Sequence, residues 1–104
     1  MIREAMTIWP GSDDVMVRQV VILALDGADR EAMRLLDPYL SRHPDDLDRL
    51  MLGMQLIHGA RTAGRSLDSA DADRARFMKY FDLYERANGP RLADARRWKQ
   101  VVER

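Results

Sequence analysis

The sequence predicts an all-helical fold of antiparallel hairpins, and three observations carry that expectation. The stretch from Asp13 to Asp46, DDVMVRQVVILALDGADREAMRLLDPYLSRHPDD, reads as a helix, a tight turn, a second helix and a proline-marked exit. Apolar residues keep a spacing of three and four through the later blocks, which is the mark of helices with one buried face. Pro10 and Pro44 stand 34 residues apart, and each is followed by paired acids at a helix start, Asp13–Asp14 and Asp45–Asp46.

Taken in order, the opening residues Ile2, Ala5, Ile8 and Trp9 look like the closing helix of a hairpin whose opening helix is missing. The chain is therefore expected to be an excised piece or the last part of a longer array, with an apolar end left uncovered. The next segment, Val15 to Leu25, is apolar on nearly every side, interrupted by Arg18, Gln19 and Ala24, and reads as a buried helix. Its Val20–Val21–Ile22 run has strand character, but the length of the block favours a helix. Gly27 follows where a helix end needs left-handed backbone, and Asp29 is placed to cap the next start.

The second helix carries Ala32, Leu35, Leu36, Tyr39 and Leu40 as one stripe, with Arg30, Arg34 and Asp37 outside it. Pro38 removes one backbone donor and is expected to loosen the last turns, and His43–Pro44 ends the element. Asp45 then caps a new helix, with Asp48 completing a capping-box-like pair. Leu47, Leu50, Met51, Met54 and Ile57 form its stripe, and it runs on to a stop near Gly64. The polar stretch from Ser66 to Ala70 is a loop in which Ser69 caps a further helix, with Asp71 and Asp73 in its first turn.

That helix carries Phe77, Tyr80, Phe81 and Tyr84 at helical spacing, a core stripe in preference to a base-stacking surface despite the neighbouring Arg74, Arg76 and Lys79. Asn88-Gly89-Pro90 stops it, and Leu92, Ala95, Trp98 and Val102 line one face of a last helix. Trp98 reads as a lid on the core. Arg91, Arg96, Arg97 and Lys99 also fit a membrane-surface or nucleic-acid helix, but a cap packed on the array explains the same apolar stripe without a ligand.

The layout resembles the tetratricopeptide repeat. The family places a glycine at the inter-helix turn (Gly27), an alanine where the helices cross (Ala32), bulky residues further along (Leu36, Tyr39) and a closing proline (Pro44). Met16 and Val20 stand at its aromatic and small positions, a departure that alters the packing expected there. One period after Gly27 stands Arg61, so the second unit is atypical, while Gly53 takes the family's small position.

The resemblance implies a short right-handed solenoid of about five to six helices in a single domain. Residues 1–10 would be the closing half of a truncated repeat, 13–46 a complete repeat, 47–88 an atypical long hairpin and 90–104 a capping helix. In the family the opening helices line a concave groove for peptides or helices. The matching positions include Val17, Val21 and Ala24 on one helix and Met51, Gln55 and His58 on the next, flanked by Asp14 and Asp48. The family's carboxylate clamp for chaperone tails is not among them. Apolar Val17 and Val21 call for a cover, whether a partner segment, the last helix folding back or a second copy.

Composition narrows function further. A chain of 104 residues buries only about two-thirds of its unfolded surface, enough for one core. Seventeen basic residues balance seventeen acidic ones, so no global field recruits nucleic acid or an anionic membrane. Fifteen of the basic residues are Arg, which reflects genome composition more than function. With no cysteine there is no thiolate chemistry, and cytosol and periplasm both remain open. No signal peptide or membrane span is visible.

His43 and His58 lack zinc spacing, and there is no glycine-rich phosphate loop and no serine elbow, so no metal, no cofactor and no catalysis are expected. The acid pairs sit at helix starts, where capping accounts for them. The expected function is a protein-interaction scaffold binding a peptide or helix segment over Val17, Val21, Ala24, Met51, Gln55 and His58. The alternative is a purely structural end of a longer array, its groove filled by its own last helix. A homodimer through the truncated end is compatible with either.

Overall fold

The computed structural model describes residues 13–103, and among them lie five helices and no strand. They are α1 (Asp13–Leu25), α2 (Asp29–Arg42), α3 (Leu47–Thr62), α4 (Ala70–Arg86) and α5 (Leu92–Val102). The closing helix expected before Pro10 lies outside the described residues. Among these residues no helix is long and apolar enough to cross a membrane.

Three helix ends are closed by the same backbone device. Gly27 (φ 82°), Gly64 (φ 74°) and Asn88 (φ 55°) take left-handed backbone just past α1, α3 and α4. The residue after each returns an amide to the helix, Ala28 to the Leu23 carbonyl at 2.8 Å, Arg65 to Ala60 at 2.7 Å and Gly89 to Tyr84 at 3.0 Å. This is the paired bonding of a Schellman end, which satisfies carbonyls that would otherwise be orphaned. At the third end the tasks are divided, because Asn88 supplies the left-handed turn while Gly89 lies so close to the Tyr84 ring that a Cβ would overlap it.

The helix starts differ from expectation. Asp29 does not cap α2; it is the first helical residue, after Ala28, and adds its charge to the positive end of the helix. Asp46, not Asp45, caps α3, accepting the Arg49 amide at 3.3 Å. The turn at Pro44–Asp45 places Asp46 one residue nearer the helix, so the Asp45–Asp48 capping pair does not form. Asp46 also accepts the Tyr39 hydroxyl, which ties the end of α2 to the start of α3. Ser69 caps α4 as expected, accepting from the Ala72 amide at 3.0 Å. Helix α2 runs unbroken through Pro38 to Arg42.

Helix α3 is the centre of the packing, with α2, α4 and α5 against it, while α1 rests on α2 and α5 also meets α4. Leu36, Leu40, Leu50, Met54, Ile57, Phe77, Tyr80 and Tyr84 are fully buried, so the aromatic stripe of α4 is core. Helix α1 corrects the reading of a buried helix. Only Val20 is fully enclosed, and Val15, Val21, Ile22 and Leu25 are 47%, 40%, 46% and 82% exposed. An all-round apolar sequence predicts an interior helix, but α1 has a single closely packed neighbour among the described elements.

Polar groups lock the far side. The Asp73 carboxylate is buried and accepts the amides of Leu67 at 2.8 Å and Asp68 at 3.1 Å, holding the α3–α4 loop. Arg61 donates to the Val102 carbonyl at 2.9 Å and to Ala70 at 3.3 Å, joining the end of α5 to the start of α4.

Candidate functional site

The seam between α1 and α3 is open. Among the described residues the two helices are not a major packing pair, and three contiguous depressions of about 540, 330 and 330 Å³ follow the seam. Val17 and Arg18 face Asp46 and Arg49 at one end. In the middle Val21 faces Asp48, Met51, Leu52 and Gln55, with Tyr84, Pro90 and Arg91 at the margin. Ala24 and Leu25 face Gln55, Leu56 and Gly59 at the other end. The pairs advance together along both helices, so α1 and α3 run side by side in the same direction. Val21 lines all three depressions and is the centre of the furrow.

Five of the six expected groove residues, Val17, Val21, Ala24, Met51 and Gln55, border this furrow. Met51 does so only by its edge, being 6% exposed. His58 stands elsewhere. Its imidazole stacks on the Trp98 indole of α5, with ring centroids 5.5 Å apart, and lies within 3.5 Å of the Thr62 hydroxyl. Partial burial lowers the His58 pKa from its ordinary 6.5. The face of α3 that carries His58 is taken by α5, and the furrow lies about one residue's turn away, along Asp48, Leu52, Gln55 and Gly59.

Residue-by-residue reading missed Arg49, Leu52 and Leu56. Their signal was present, because Leu52 and Leu56 sit one turn apart beside Gln55, but an apolar residue at almost every position of α3 hides which stripe faces which neighbour.

A second, more polar concavity of about 450 Å³ lies on the other side, between α2, the α3–α4 loop and α4. Three of its charged groups serve the fold. Arg30 donates to the Leu67 carbonyl at 3.0 Å, and Arg76 stands 3.7 Å from Asp37. Asp37 also accepts the hydroxyl of Tyr80, whose pKa is pushed far above its usual 10 by burial first and then by that bond and the Asp37 charge.

Comparison with family models, curated proteins and solved structures finds no match to the chain.

Proposed function

We propose that the chain is a non-catalytic protein-interaction module of tetratricopeptide-like architecture, a short stack of helical hairpins receiving a peptide or helix segment in the α1–α3 furrow. The observation that carries this reading is Val21, an apolar side chain 40% exposed at the centre of an open seam between two parallel helices. Exposed apolar surface in a concavity favours burial against a partner, by about 25 cal/mol per Å² of apolar area covered. The successive opening helices of stacked hairpins lie side by side in this way.

The last helix does not fill the furrow. It rests on α3 through Trp98 and His58, while only Pro90 and Arg91, ahead of α5, reach the furrow margin. That placement supports an external occupant over the chain's own last helix.

A photo-crosslinking amino acid at exposed Gln55 tests the reading in the source cell. The expected product is an adduct with a second polypeptide, abolished by Val21→Glu in a chain whose circular dichroism is unchanged. Absence of any adduct, or an adduct indifferent to Val21→Glu, overturns it. Met51 is a poor test position, since a charge there would enter the core.

A second reading, a structural segment of a longer array, is favoured by Val15, Ile22 and Leu25, which expose apolar surface on α1. Its test is sedimentation, with concentration-dependent self-association relieved by Ile22→Glu as the expected outcome.

A further inference from the structure

We infer that the furrow selects an amphipathic helix bearing a carboxylate, the acid pairing with Arg49; this rests on the furrow being the interaction site. Arg49 stands where two of the depressions meet. Its Nε is shut off from solvent and has no hydrogen-bond partner, and its side chain makes no ion pair among the described residues. The residue is only half-buried, so the rest of the guanidinium reaches the furrow while its Nε stays unmatched, and a carboxylate seated there would satisfy both.

The acids nearby do not supply it. Asp46 is occupied by the Tyr39 hydroxyl and the Arg49 backbone amide, and Asp48 is exposed. Arg18, exposed on α1, borders the same end of the furrow and adds a second positive charge. At that end Arg18 and Arg49 stand against the single acid Asp46, an excess of positive charge that is complementary to an anion, although the chain as a whole is neutral.

The surroundings choose the kind of anion. Val17, Val21 and Leu52 flank Arg49, and apolar walls favour a singly charged group carried by an apolar segment over a polyanion that keeps its hydration. The planar fork of a guanidinium matches a carboxylate in two parallel bonds.

The conformation follows from the walls as well. Both are helices whose backbone groups are bonded internally, so they cannot lend a strand edge to an extended peptide. A third helix brings its own backbone bonds. The furrow follows α1, whose 13 residues span about 20 Å, which fits three to four turns.

The test is a displayed library of 14-residue helical peptides, with a fixed leucine stripe and randomised flanks, selected on the full chain and on Arg49→Met. Selection on the full chain is expected to enrich Asp or Glu at one offset from the stripe. On Arg49→Met that enrichment disappears, and the enriched peptides bind about tenfold more weakly, the change expected for one close charge pair. Arg49→Met keeps the packing stem, and its melting temperature is expected not to fall, because the buried, unpartnered Nε is removed. Arg49→Lys, a charge without the fork, is expected to recover only part of the affinity.

Enrichment without acids, or acids equally enriched on Arg49→Met, overturns the inference while leaving the furrow as the site. Peptides retained equally by Val21→Glu, or none retained by the full chain, overturn the furrow reading and the inference together. A dimer dissociated by Val21→Glu puts a second copy in the furrow and overturns the inference alone.

Discussion

The ring of Tyr80 lies on Gly53. A Cβ on Gly53 would stand 2.7 Å from Cε2 of that ring and 2.9 Å from Cδ2, so α3 and α4 meet where one helix has no side chain to interpose. Tyr80 reaches past Gly53 to α2, where its hydroxyl donates to Asp37 and lies 3.7 Å from the Met33 sulfur. One aromatic side chain thus connects three helices.

Gly53→Ala is expected to destabilise the fold. The added methyl forces a fully buried ring to move, a cost of about 1–3 kcal/mol, against a helix-propensity gain of about 1 kcal/mol. The urea midpoint should fall. A midpoint equal to or above that of the unaltered chain would mean that the ring shifts without strain.

Tyr80→Phe keeps the ring and removes the hydroxyl, leaving Asp37 with Arg76 alone. The expected cost is about 1–2 kcal/mol at neutral pH, the lower part of the range for a bond to a charged group because Asp37 is part-exposed. The alkaline limb should change too. The Tyr80 pKa is raised in the folded chain, so its contribution is complete below pH 10 and is lost as pH rises beyond it. Stability of Tyr80→Phe above pH 10 should therefore fall less steeply. Parallel profiles for the two chains would assign alkaline unfolding to other groups.

Asp73→Ala removes the acceptor of two loop amides, one of them on buried Leu67. Two bonds to a carboxylate are lost and both donors are orphaned, which costs about 3 kcal/mol or more. Hydrogen exchange gives the specific readout, with the Leu67 amide losing protection ahead of the α3 core. If that amide exchanges as slowly as before, water or another acceptor replaces the carboxylate.

Trp98→Ala uncovers His58. Burial depresses the imidazole pKa, so the folded chain binds this proton less readily than the unfolded one, and stability falls as pH drops below 6.5. The His58 resonances should titrate below 6.5 in the unaltered chain and closer to 6.5 in Trp98→Ala. Identical titration in both would remove the indole as the cause.

Much of this architecture was legible because it rests on local chemistry. Gly27, Gly64 and Asn88-Gly89 announce helix ends through the left-handed backbone they permit, and Ser69 announces a start. The aromatic spacing from Phe77 to Tyr84 identified core. Rotation of α3 was not legible. Leu50, Met51, Met54, Leu56, Ile57 and Ala60 are all buried, so the helix is apolar nearly all round, and only its neighbours decide that His58 faces α5 while Leu52 faces the furrow. Nor could spacing show that Asp73 turns back into a loop or that Asp37 meets Tyr80, since both pairings are made by tertiary approach. The exposure of α1 was missed because apolar content reports a tendency toward burial, not the presence of a neighbour.

Among the described residues the main attachment of α1 is to α2, and this bears on how the molecule opens. An element held by one interface can separate without disturbing the rest, and its opening free energy is set by that interface, not by the global stability. Helix α3, enclosed by three partners, opens only when everything does. The furrow thus has one wall belonging to the most cooperative unit of the chain and one wall belonging to the least. An occupant that bridges them would join two folding units into one, and its binding would be registered as slower amide exchange along α1, with that of α3 nearly unchanged.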